Sequence, residues 1–143
     1  NGYKLIQSFE GLKLKSYICS AGILTIGYGN TKYIDGRKVG KNEQITQDHA
    51  NNLFKHYADN FARDVDFYVK SNINQNQFNA LVSFAYNVGI GAFKGSTLLK
   101  RVNINPKDAM IAKEFLKWNK ASGRVIDGLT NRRIKESSIY FSK

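Results

Sequence analysis

The stretch Glu10–Thr25, EGLKLKSYICSAGILT, sets an acid, a thiol and a hydroxyl in fixed order, with eight residues between Glu10 and Cys19 and five between Cys19 and Thr25. Gly11 follows the acid, and a Gly/Tyr-rich run, TIGYGNT, starts at the hydroxyl. Upstream, YKLIQSFE (3–10) carries Leu5, Ile6 and Phe9 on one helical face. Gly11 stands where a C′ glycine ends a helix. Glu10 then lies at the negative end of a short helix, where the backbone dipole opposes ionisation, as a general acid requires. The plain alternative for the same position is a solvated last-turn carboxylate.

Working outward, glycines at 22, 27, 29, 36 and 40 punctuate the β-prone runs ILTIGYG, TKYI and RKV. Asp35-Gly36 between the last two is a hairpin signal, so the pattern predicts a small antiparallel sheet of three short strands. Gly27 and Gly29 either admit a ligand close to the backbone or serve turn geometry. Helical spacing then takes over. Thr46 is placed to cap a helix over 47–69 with Ala50, Leu53, Phe54, Tyr57, Phe61 and Val65 on one face. Asn74 caps a second, carrying Phe78, Leu81, Val82 and Ala85 and ending at Gly89, with Tyr86 and Asn87 in its last turn. A short helix is expected over 93–102, and Asn105-Pro106 reads as a cap followed by Pro at the first position of another. After Gly123 and Gly128 a last helix carries Arg132 and Arg133 on its early turns. The expected architecture is α+β: one domain over 1–143, with a sheet-bearing lobe at about 12–45. A helical lobe at about 70–143 packs with the N-terminal helix 3–10, leaving a groove between the lobes.

A chain of 143 residues with 42% apolar and 13% aromatic residues can fill one core. No segment approaches the roughly 18 apolar residues of a membrane span. The sequence starts at Asn1 instead of Met, which leaves room for an upstream export signal or anchor. One cysteine excludes a disulfide within these residues, and its ordinary role is that of a small buried hydrophobe. His49 and His56 stand apart from any metal-ligand spacing, so neither metal nor cofactor is expected. Lys and Arg number 22 against 11 Asp and Glu, a net charge of +11 that favours polyanions: nucleic acid, anionic membrane or a bacterial wall.

Taken together, these segments resemble the phage-type lysozymes, or endolysins, of glycoside hydrolase family 24. That family's signature is Glu, eight residues, Asp or Cys, five residues, Thr, matched here by Glu10, Cys19 and Thr25. FEGLKLKSY and LTIGYGNT are similar to its flanking text, QNQFNALVSFAYNVGIGAFKGSTLL (75–99) to its central helix pair, and FLKWNKASGRVIDGLTNRRIKES (115–137) to its C-terminal signature. Two departures are Cys19 where Asp is commoner and Asn30-Thr31 where a His-Thr pair is frequent.

The resemblance implies cleavage of the β-1,4 bond between N-acetylmuramic acid and N-acetylglucosamine in peptidoglycan, ending in host cell lysis. Glu10 would be the general acid, with Cys19 and Thr25 activating or positioning water. An arginine of the C-terminal helix, Arg132 or Arg133, would support the acid; solvated surface charge is the alternative for that pair. Sugar contacts would come from Thr31, Tyr86, Asn87 and Ser96. Three roles stay open for Cys19: thiolate base, direct nucleophile, or neutral thiol orienting water. The implied partners are peptidoglycan and an anionic envelope surface, without nucleic acid, for a monomer. It would wait in the host cytoplasm and act at the wall. Two rival readings are a lytic transglycosylase using Glu10 alone and a cationic, non-catalytic wall- or membrane-active protein.

Overall fold

A computed structural model describes residues 2–19 and 21–143. The chain forms two compact units, Lys4–Asn60 and Phe61–Lys143, the latter including the start of the chain up to Tyr3.

In the first unit, α1 (Gly2–Glu10) buries Ile6 completely and stops at Gly11, whose φ of +68° is the left-handed conformation a glycine tolerates. The Gly11 N–H returns to the Gln7 carbonyl at 3.0 Å. Strands β1 (Lys13–Ile18) and β2 (Leu24–Gly27) pair antiparallel with Tyr17 opposite Thr25, and the register shifts between Lys13 and Tyr17. Of the three runs expected as strands, only ILTIGYG forms one, as β2, and its partner β1 was not among them. The TKYI and RKV runs meet through one bridge, Lys32↔Lys38, around Gly36 at φ +87°. Two like charges directly opposite each other give that pairing little support. Ile26, Tyr33, Val39, Ile45, Ala50 and Leu53 form the buried core beneath these loops.

α2 (Gln47–Tyr68) starts as the sequence indicates, with the Thr46 hydroxyl accepting from the His49 N–H at 3.1 Å. In the second unit α3 (Gln75–Val88) opens with a complete capping box, Asn74 and Gln77 satisfying each other's backbone N–H groups, and ends at Gly89. The single helix expected over 93–102 is two: α4 (Ile90–Lys94) and α5 (Thr97–Ile104). The break falls at Gly95, because Ser96 takes an extended conformation and accepts from the Leu99 N–H as the cap of α5. Pro106 does not begin a helix either. Residues 106–110 make turns, and α6 (Ile111–Leu116) starts later. Asp108 accepts there from the Met110 N–H and pairs with Arg101 at 3.1 Å. A hairpin absent from the sequence reading, β3 (Lys120–Ala121) with β4 (Arg124–Val125), turns through Ser122 and Gly123 at positive φ before α7 (Asp127–Tyr140). The core of this unit is aromatic: Phe84 stands edge-on to Phe93, Phe115 and Trp118, with ring centroids 5.5–6.3 Å apart. Among the described residues the architecture is seven helices and two two-stranded sheets, α+β and mainly helical.

Candidate active site

Glu10, Cys19 and Thr25 all fall in the first unit, where the end of α1 meets the β1–β2 hairpin. Glu10 is half-buried, and its carboxylate rests against Gly29: a Cβ on Gly29 would lie 2.7 Å from Glu10 Oε1. Gly29 holds φ +79°, so the close approach and the backbone conformation both demand glycine there.

Cys19 closes the tip of the hairpin. Its N–H donates to the Ile23 carbonyl at 3.0 Å, and its own carbonyl accepts from the Gly22 N–H at 2.8 Å, with Gly22 at φ +78°. The Ile23 N–H, assisted by the Ala21 N–H and the Thr25 hydroxyl, holds the thiol below its ordinary range, against an opposing contribution from desolvation. Thr25 is buried, and its Oγ1 lies 2.9 Å from the Ile23 carbonyl. A hydroxyl has one proton, so Thr25 chooses between donating to that carbonyl and donating to the Cys19 sulfur.

Tyr17 went unremarked in the sequence and belongs to this group. Burial raises its phenol, and the charges of Glu10 and Cys19 raise it further. Its signal was strand pairing, since Tyr17 lies opposite Thr25, but that register depends on an irregularity the sequence does not announce.

Thr31 is also in this unit, exposed, with its carbonyl accepting from the Val39 N–H. Asn30, which departs from the family's usual residue, is buried. It exchanges backbone bonds with Ile26 and accepts from the Tyr28 N–H through its side chain.

The remaining candidates belong to the second unit. Tyr86 packs its ring 5.4 Å from that of Phe61. Asn87 accepts from Arg133 Nη2. The Ser96 hydroxyl is buried and committed to Phe93 and Leu99. Arg132 and Arg133 are buried, not solvated. Both bind Glu136, Arg132 also reaches the Ser83 carbonyl at 3.1 Å, and Arg133 reaches the Trp118 carbonyl at 3.0 Å.

Among the described residues no group of three or more His, Cys, Asp and Glu side chains could hold a metal ion, and no helix is long and apolar enough to cross a membrane.

Glu10 thus packs against Gly29, while the Cys19 N–H and the Thr25 hydroxyl meet at the Ile23 carbonyl. The model of the phage lysozyme family matches residues 7–136, and this chain belongs to that family. The endolysin of Bacillus phage PZA is 43% identical over 143 residues, covering 99% of this chain and 54% of that protein. The endolysin of Salmonella phage P22 is 37% identical over 142 residues, covering 99% of this chain and 96% of its own. The endolysin from Escherichia coli O157:H7 phage FAHEc1 superposes with a TM-score of 0.88 at 39% identity, over 99% of this chain and 90% of that one. The chain spans about half the length of the Bacillus phage relatives, 54% and 52%.

The lowered thiol makes a prediction of its own. Alkylation of Cys19 by iodoacetamide is expected to follow a pH profile whose midpoint lies below that of a free cysteine measured under the same conditions. Thr25→Val should move the midpoint upward by removing one donor. A wild-type midpoint at or above the free-thiol value would contradict the assignment of those donors.

Proposed function

We propose that this chain is a lysozyme that hydrolyses the β-1,4 bond between N-acetylmuramic acid and N-acetylglucosamine in peptidoglycan. Glu10 gives its proton to the glycosidic oxygen as the C1–O bond breaks. Water attacks C1 from the other side of the sugar, and its proton passes to the Cys19 thiolate while Thr25 orients it. The observation that carries this reading is the Cys19 turn, where the Cys19 N–H at 3.0 Å and Thr25 Oγ1 at 2.9 Å meet the same Ile23 carbonyl and so set thiol and hydroxyl side by side.

The chain acts, in this reading, as one monomeric lysozyme domain on the wall and its anionic surface, after a period in the host cytoplasm, and causes lysis. Arg132 or Arg133 supports the acid, and Thr31, Tyr86, Asn87 and Ser96 serve sugar binding; these roles rest on motif position.

Product analysis tests the reaction. Digests of purified peptidoglycan should carry reducing ends, with Cys19→Ser inactive and Cys19→Asp active. Products of 1,6-anhydro type, or a fully active Cys19→Ser, would replace water activation by Glu10-only transglycosylation.

The charge of +11 enters as steering toward wall carboxylates and phosphates. Raising ionic strength from about 0.01 M to about 0.15 M shortens the screening length from roughly 30 Å to roughly 8 Å. The apparent second-order rate on wall fragments should fall severalfold, with turnover at saturation little changed. A salt-independent rate would remove steering from the account.

A further inference from the structure

The second unit has a depression of about 510 Å³ between the start of α1, the later part of α2 and the first turns of α3, lined by none of the candidate site residues. Tyr3, Gln75, Asn76, Phe78, Asn79 and Val82 line it, and no charged side chain does, although the protein carries +11. A second depression of about 280 Å³ shares Gln75 and Phe78 with it, so those two side chains join the hollows into one elongated surface.

The amides here are only partly used. Gln75 Nε2 donates to Asn79 Oδ1 at 2.7 Å, and Asn76 Nδ2 donates to Ser142 Oγ at 3.1 Å. Gln75 Oε1, Asn76 Oδ1 and Asn79 Nδ2 have no protein partner among the described residues, and none is a buried orphan. The hollow therefore offers two acceptors, a donor and two aromatic side chains to whatever enters it. Gly2 is tied to this geometry, since a Cβ there would lie 2.7 Å from Asn79 Oδ1.

We propose that this surface is a second saccharide site, which takes an uncharged, N-acetylated stretch of glycan. An acetamido group carries one N–H and one C=O, and sugar hydroxyls supply further donors, which complements the open amide atoms. Aromatic side chains suit the apolar faces of a pyranose ring. The lining of the joined surface holds no Lys or Arg and one acidic side chain, Asp66, which disfavours phosphates and carboxylates, and the elongated shape suits a chain more than a single compact ligand. Two sites on one polymer raise residence through effective concentration without any new contact at the cleaved bond. The choice of glycan rests on the function proposed above; the chemistry of the hollow does not.

The test is an NMR titration of the full chain carrying Glu10→Gln, to prevent turnover, with the N-acetylglucosamine tetramer. The side-chain amide of Asn76 reports the hollow, and the backbone amides of Ala21 and Ile23 report the Cys19 loop. Saturable shifts at Asn76 are expected, weakened roughly tenfold by Gln75→Ala combined with Asn79→Ala, as the loss of two hydrogen bonds implies. The loop midpoint should stay unchanged in that variant. Shifts at the loop alone would overturn the second site and leave the proposed function standing. Shifts at Asn76 alone would support the site and count against the loop as a glycan subsite. No shift at either would overturn both.

Discussion

Replacing Glu10 by Gln is expected to lower peptidoglycan cleavage by roughly 10²–10⁴-fold, the range over which positioned proton donors act. Glutamine keeps the volume of the side chain and its packing against Gly29 but cannot release a proton to the leaving oxygen. Thermal stability should therefore match or exceed that of the wild type, as is common when a functional carboxylate is neutralised. Gly29→Ala makes the informative partner. Its Cβ would occupy space 2.7 Å from Glu10 Oε1, at a backbone φ of +79° that L residues adopt only with strain. It should lose activity by pushing the acid aside and lose stability as well. Turbidity clearance and melting curves on the two variants separate a missing proton from a misplaced one. An active Glu10→Gln enzyme would remove Glu10 from the chemistry.

The second large effect lies in the other unit and concerns stability. Glu136 is completely buried, and its carboxylate meets Arg132 Nε at 3.2 Å, Arg133 Nη1 and the Ser83 hydroxyl. Burial pushes this carboxyl up, and the Arg133 and Arg132 guanidiniums act against that push. Arg133 is itself fully buried, with its guanidinium 4.9 Å above the Phe84 ring. Arg133→Met should cost about 3–5 kcal/mol at pH 7, the usual loss when one member of a buried ion pair is removed.

The pH dependence of that loss has a definite sign. A carboxyl raised in the folded state above its unfolded value near ~4.3 destabilises the fold as pH rises through and beyond that value. The penalty is absent at lower pH, where both states are protonated. Removing Arg133 leaves burial less opposed, so the gap between variant and wild type should be wide at pH 7 and narrow toward pH ~4.5. Denaturant titrations at both pH values measure it. Adding Glu136→Gln to Arg133→Met should recover part of the loss. A gap of equal size at both pH values would show that lost packing, not the buried carboxylate, dominates.

Local signals were legible in the sequence, and long-range ones were not. Thr46, Asn74 and Gly11 mark their helix ends because capping involves atoms only a few residues apart. Glu10, Cys19 and Thr25 stood out by their spacing, and the hairpin does bring the thiol and hydroxyl together. The TKYI and RKV strands failed because a turn signal at Asp35-Gly36 cannot weigh the Lys32–Lys38 opposition across it. Pro106 misled because its neighbour Asp108 is drawn into turns by Met110 and Arg101, a partner on another helix. Ser96 admits both a sugar contact and an ordinary capping role, and its hydroxyl does cap α5. Arg132 and Arg133 were weighed against a solvated surface, but their partners Ser83, Asn87 and Trp118 are 15 to 49 positions away and leave no mark at short range.

The turn at Cys19 has a consequence for the choice between thiol and carboxylate. Sulfur presents a single atom, so in the proposed reaction the atom that the Ile23 and Ala21 amides stabilise would also be the one that faces water. Each donor that makes the anion easier to form also makes it a weaker base. A carboxylate at position 19 divides the labour, one oxygen anchored by the amides and the other left to the solvent. Cys19→Asp should therefore keep its activity over a broader acid range than the wild type, because grip and basicity would no longer compete for one set of lone pairs.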